Sequence, residues 1–210
     1  ISSGSAKKNF MMKLSKFISF AFHPILMPTY AILLLFTFSP LFSEFMSIKQ
    51  KTQIIKLAVV FTFLLPIFSV IILKKFKIVS SFYMENQKER RWPLLFALGW
   101  FYLLLRLFET LHIHYIIVTL MLGAMLILLI SAMISNFWKI SLHMLGIGGV
   151  LGAFLAIHTL FGGNIFLIIT LLFCAGLVGF ARVNENAHNL KQTYLGFIIG
   201  TCIEFLIFYF

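Results

Sequence analysis

The chain has 210 residues, of which 61% are hydrophobic and only 11% charged, and its mean hydropathy is +1.03. Soluble domains carry about 25% charged residues, so a water-soluble domain is excluded and the apolar content assigns the chain to the membrane class. The formal charge of +11 does not imply nucleic acid. The basic residues stand in short loops between apolar runs, where the positive-inside rule puts them, and no basic face is large enough to follow a phosphate backbone.

The apolar runs predict an all-α, polytopic transmembrane bundle of six or seven spans, each needing about 20 apolar residues. The chain does not open on Met, and residues 1–11 read as a cloning remnant or a disordered N-terminus, which leaves a single transmembrane domain over 12–210. The first run covers 17–42 and contains Pro24 and Pro28, predicting a kinked or partly interfacial start. A polar turn with Glu44, Lys49 and Lys51 leads to a second run over 54–73, which ends at Lys74, Lys75 and Lys77. The most polar stretch follows and includes Glu85, Lys88, Glu89, Arg90, Arg91 and Pro93. Pro93 suits the first turn of a third span, which carries Arg106 and Glu109 at pairing distance near its far end.

A fourth run over 115–137 reaches a second polar cluster, Lys139, Ser141 and His143. The fifth span begins there and carries Gly148 and Gly152 at the spacing that permits close helix contact in lipid. After a turn at Gly162, Gly163 and Asn164, a sixth span ends near residue 180. The third cluster holds Arg182, Glu185, His188, Lys191 and Gln192, and a seventh run over 194–210 has Gly196 and Gly200 at packing spacing. Cys174 and Cys202 lie inside apolar runs and read as buried thiols. Two crossings separate each polar cluster from the next, and an even number returns the chain to the same face. All three clusters are therefore expected at one membrane surface, together with the N-terminus.

Several cations and two imidazoles gathered beside lipid suit an anionic headgroup, because Arg matches phosphate oxygens bidentately. The hydroxyl of Ser141 and the free N–H groups of the helix it starts can face the same anion. One imidazole can attack phosphorus while the other protonates the leaving alkoxide. With few carboxylates in the clusters, no metal constellation is apparent, and neither a metal nor another cofactor is expected.

These residues resemble the type 2 phosphatidic acid phosphatase superfamily, membrane lipid-phosphate phosphatases related in fold to vanadium haloperoxidases. That family carries a Lys-to-Arg-Pro motif, a Pro-Ser-Gly-His motif and a Ser-Arg motif with a His after five further residues. Here the third reads Ala181-Arg182, five residues, His188; the second reads Ile140-Ser141-Leu142-His143; the first is compressed to Lys88, Arg90, Arg91 and Pro93. The resemblance covers roughly the last 130 residues. It implies His188 as the nucleophile, His143 as the general acid, and Arg182, Arg90, Arg91, Lys88 and Ser141 as the phosphate cradle. Gln192 stands where the family has the acidic residue that orients the nucleophile, and Glu185 is the nearest carboxylate to take that place. The expected substrate is a lipid phosphate: phosphatidate, phosphatidylglycerophosphate, a polyprenyl diphosphate or a lipid A phosphate. The alternative is a catalytically silent relative that binds or moves an anionic lipid. The setting expected is a bacterial cytoplasmic (inner) membrane. Positive-inside counting puts the clusters in the cytoplasm, whereas the resemblance points to the periplasmic face.

Overall fold

The computed structural model describes residues 2–39, 46–80 and 87–210, with side chains from residue 6 onward except at 87 and 88. Glu44 and Glu85 lie outside the described residues, as does the side chain of Lys88. All described secondary structure is helical, and seven helical units among the described residues are long and apolar enough to cross a membrane.

The first unit, Ala6–Phe38, has 33 residues and would run about 50 Å as one α-helix, well beyond a hydrocarbon core of about 30 Å. It is broken instead. Helix α1 (Ser2–Ala21) gives way to a 3₁₀ turn, Pro24–Leu26, and then to α2 (Met27–Phe38). Pro24 has no N–H and disfavours helical backbone in the residue before it. His23 is accordingly extended, and its Nδ1 accepts from the N–H of Ile25 at 3.4 Å. The backbone is helical from Ser2, and the Asn184 amide donates to Ser15 Oγ at 2.9 Å and to the Met11 carbonyl at 3.4 Å. The outer side of α1 exposes Phe10, Leu14, Phe17 and Phe20 beside Lys13 and Lys16, a pattern suited to the headgroup boundary.

Helix α3 (Ile48–Lys75) starts six residues before the predicted run. Ser47 and Gln50 form a capping box, with Ser47 Oγ accepting from the Gln50 N–H at 3.3 Å and Gln50 Oε1 accepting from the Ser47 N–H at 2.9 Å. Its middle turn, Val60–Leu64, is π-helical just ahead of Pro66, which cannot donate to the Thr62 carbonyl. The buried Thr62 hydroxyl bonds to the Ala58 carbonyl at 2.8 Å and lies 3.3 Å from Thr29 Oγ1 on α2. Then come α4 (Arg91–Thr110), α5 (Tyr115–Ile134), α6 (Leu142–Phe161), α7 (Ile165–Asn184) and α8 (Leu190–Ile207). Arg106 and Glu109 pair on α4 as expected.

The closest packing joins α6 to α8, which run parallel. A Cβ at Gly148 would meet the Phe197 carbonyl, one at Gly152 the Thr201 backbone, one at Gly196 the Ser141 carbonyl and one at Gly200 the Leu145 backbone, each closer than 3.0 Å. Without side chains at these positions the two backbones touch, the route by which helices associate where lipid supplies no hydrophobic drive. On its other side α8 buries Glu204 against Gly123 of α5, whose missing side chain makes room for the carboxylate.

Gly200→Ala is therefore expected to lower the thermal midpoint in detergent, since overpacking costs about 1–3 kcal/mol. Gly176→Ala, where nothing lies within 4 Å, is expected to leave it unchanged or raise it slightly, because Ala is the better helix former. Equal behaviour of the two variants would show that the α6–α8 contact is looser than described.

Candidate functional site

The loop between α7 and α8 is fixed at both ends by helix caps. At the end of α7, Asn186 takes the left-handed conformation with φ 55°. Its N–H bonds to the Val183 carbonyl at 2.9 Å, and that of Ala187 bonds to the Arg182 carbonyl at 3.2 Å. This is a Schellman closure, with Asn in the place usually given to Gly. At the start of α8, Asn189 and Gln192 form a capping box: the Asn189 side chain accepts from the Gln192 N–H at 2.9 Å, and Gln192 Oε1 accepts from the Asn189 N–H at 3.2 Å. His188 is held between the two caps, only 7% exposed.

Its tautomer follows from its partners. Nδ1 lies 3.2 Å from the Lys139 carbonyl and 3.1 Å from Gln192 Oε1. Both are acceptors, so Nδ1 carries the proton and donates, and the lone pair sits on Nε2. Gln192 thus orients the imidazole from the position expected to do so. The Glu185 carboxylate accepts from Arg182 Nη1 at 2.8 Å, and the imidazole's side-chain partner is Gln192.

The second cluster meets the third through the backbone. Ser141 caps α6, its N–H donates to the Gln192 carbonyl at 3.4 Å, and its Oγ is fully buried with no partner. His143, in the first turn of α6, reaches α1, where its Nε2 lies 3.0 Å from the Ser19 carbonyl. A carbonyl only accepts, so Nε2–H is the donor and Nδ1 is left as the basic atom. The Ser19 hydroxyl accepts from Arg182 Nη1 at 3.1 Å, while Arg182 Nε and Glu185 Oε1 are buried without partners.

From the first cluster, Arg90 reaches the site. Burial first and the neighbouring charge of Arg182 second hold its pKa below the usual guanidinium value. Arg91 is exposed, with its guanidinium 5.2 Å from the Trp92 ring centre, so the structure separates two arginines that the sequence left equivalent. The imidazole of His188 is pushed down to about 4, by burial first, then by Arg182, with smaller contributions from Arg90 and Lys139; the hydrogen bond to Gln192 opposes them. At neutral pH, His188 is an uncharged base among cations.

Sequence reasoning missed three contributors. Ser15 and Ser19 lie on an apolar run without a motif, and their one signal is a four-residue spacing that puts them on one helix face. His23 is the third, a histidine outside the three polar clusters. Its ring stands 5.5 Å from that of His143 in an edge-on arrangement, and because Nδ1 accepts from Ile25 its proton is on Nε2.

Between pH 6.5 and about 4 an unfolded chain binds a proton at residue 188 that the folded chain refuses. The stability contributed by neutral His188 is whole above pH 6.5 and is lost as the pH falls toward 4, by at most about 3 kcal/mol. The thermal midpoint of the wild type should therefore fall more steeply over this interval than that of His188→Asn, which keeps a donor near Nδ1 but does not titrate. Parallel slopes would contradict the assignment.

No protein-family model matches the chain, and neither a curated protein nor a solved structure matches it.

Proposed function

We propose that the protein is a membrane phosphatase of lipid phosphates, acting through a phosphohistidine on His188 in a bacterial inner membrane. The observation that carries this reading is the bare Nε2 of His188. Two acceptors hold its ring proton on the other nitrogen, the charges of Arg182 and Arg90 act on the ring, and the unpartnered Ser141 hydroxyl stands at the start of the neighbouring helix. Such a nitrogen is a nucleophile, and its surroundings match the charge that gathers on a transferring phosphoryl group.

In the proposed reaction Nε2 attacks phosphorus, the P–N bond forms, and the bond from phosphorus to the lipid oxygen breaks. Arg182, Arg90, Ser141 and the first N–H groups of α6 stabilise the equatorial oxygens. His143, protonated on Nδ1 once a phosphate dianion is bound, gives that proton to the departing alkoxide. Water then attacks the phosphohistidine, His143 takes its proton, and inorganic phosphate leaves. Cations and imidazoles perform every step, which supports a reaction that needs no metal. Gln192 is a positioning residue that holds the tautomer, as an acidic residue would, without stabilising an imidazolium charge.

That neutrality favours a second reading, in which the site binds or moves an anionic lipid without cleaving it. In detergent with EDTA present, the wild type is expected to release inorganic phosphate from at least one of phosphatidate, phosphatidylglycerophosphate and a polyprenyl diphosphate. His188→Ala should abolish release, and His143→Ala should lower it by about 10²–10⁴-fold. Undiminished release by His188→Ala would overturn the mechanism, and binding without release by the wild type would select the second reading.

A further inference from the structure

An apolar groove of about 380 Å³ runs between α4 and α5, lined by Leu95, Leu98, Gly99 and Tyr102 on one side and Met125, Leu126 and Leu129 on the other. The α4 residues recur at the three- and four-residue spacing of a single helix stripe. Gly99 forms part of its floor, and nothing lies within 4 Å of the position a side chain would occupy there. Leu95, Tyr102 and Leu129 remain substantially exposed, so the groove opens sideways, toward lipid.

The groove has a charged end. Arg91 precedes Leu95 by four residues and so stands one turn above it on the same stripe. It is exposed and stacked on Trp92, the pairing expected at a headgroup boundary. Arg90, next in the chain, lies close enough to Arg182 and His188 for the charges to act on one another. An apolar channel of about 10 Å from Leu95 to Tyr102 thus leads up to two arginines, the inner of which belongs to the cluster described above.

We propose that this groove holds a hydrocarbon chain of an anionic lipid whose phosphate is bound by Arg90, Arg182 and their neighbours. The proposal rests on the lipid-phosphate reading and adds to it where the chain lies and from which side the substrate arrives. The cations complement a phosphate, while the groove below them is lined almost entirely by apolar surface. Lipid hydrocarbon is as apolar as the lining, so the groove adds little hydrophobic gain. What it supplies is shape: a chain seated between α4 and α5 delivers its headgroup to Arg91 and Arg90 already oriented.

Nothing lies within 4 Å of a Cβ placed at residue 99, so a larger side chain can start from there into the groove, and Gly176 on α7 is an equally open, exposed glycine away from it. The test measures binding of hexadecylphosphonate and butylphosphonate, whose P–C bonds resist hydrolysis, to detergent-solubilised wild type, Gly99→Phe and Gly176→Phe. Gly99→Phe is expected to weaken the long-chain ligand by about tenfold and to leave the short one unchanged, with Gly176→Phe resembling wild type for both. Unchanged long-chain binding in Gly99→Phe, or equal losses for both glycine variants, would overturn the groove assignment. Turnover does not enter this measurement. Failure to hydrolyse any lipid phosphate would count against the phosphatase, and failure of chain-length discrimination against the groove.

Discussion

The contact between α6 and α8 is the constraint on which the rest of the site depends. Four glycines let the two backbones touch, and because the helices run parallel, their N-terminal ends lie side by side. Ser141 and His143 begin one helix, while His188, Asn189 and Gln192 lead into the other. The hydrogen bonds from Ser141 to the Gln192 carbonyl and from His188 to the Lys139 carbonyl tie the two starts together. A looser helix pair would break these two bonds.

Against this frame the loop from 185 to 189 needs little length to place one side chain. A Schellman closure ends α7 at Asn186 and a capping box opens α8 at Asn189, and the two caps leave His188 almost no freedom. Gln192 serves twice, closing the capping box and accepting from the imidazole. One residue therefore couples the helix start to the tautomer. Across the top, α1 contributes the Ser19 carbonyl to His143 and the Ser19 hydroxyl to Arg182, joining the first helix to the same cluster.

Much of this was legible in the sequence. Run lengths gave the all-helical bundle, the even count of crossings gave the convergence of the polar clusters, and the paired glycines marked the tight helix contact. The start of α3 was not legible from hydropathy, because its first turn carries Lys49 and Lys51 and the apolar run begins only at residue 54. What could not be read is tertiary. Ser15 and Ser19 acquire a role only because α1 folds back onto α7, a consequence of the break at His23 and Pro24. Arg90 and Arg91 are neighbours with the same chemistry, and only the position of the α4 start decides which faces the cluster. Glu185 was a free carboxylate in the sequence; in the fold it pairs with Arg182 one turn earlier on α7. Glu204, buried on α8 with both oxygens unpartnered, passed unnoticed because a single acid within an apolar run carries no motif.

The central claim is that His188 Nε2 forms a covalent bond to phosphorus. It is tested most directly by rapid acid-free quenching of the protein during turnover of a ³²P-labelled lipid phosphate, followed by peptide mass spectrometry under alkaline conditions. The account predicts a base-stable, acid-labile phosphoryl group on the peptide containing His188, absent from His188→Asn and accumulating in His143→Ala if hydrolysis of the intermediate is the slower step. Turnover with no phosphoryl group at residue 188, or with one on another residue, would contradict it.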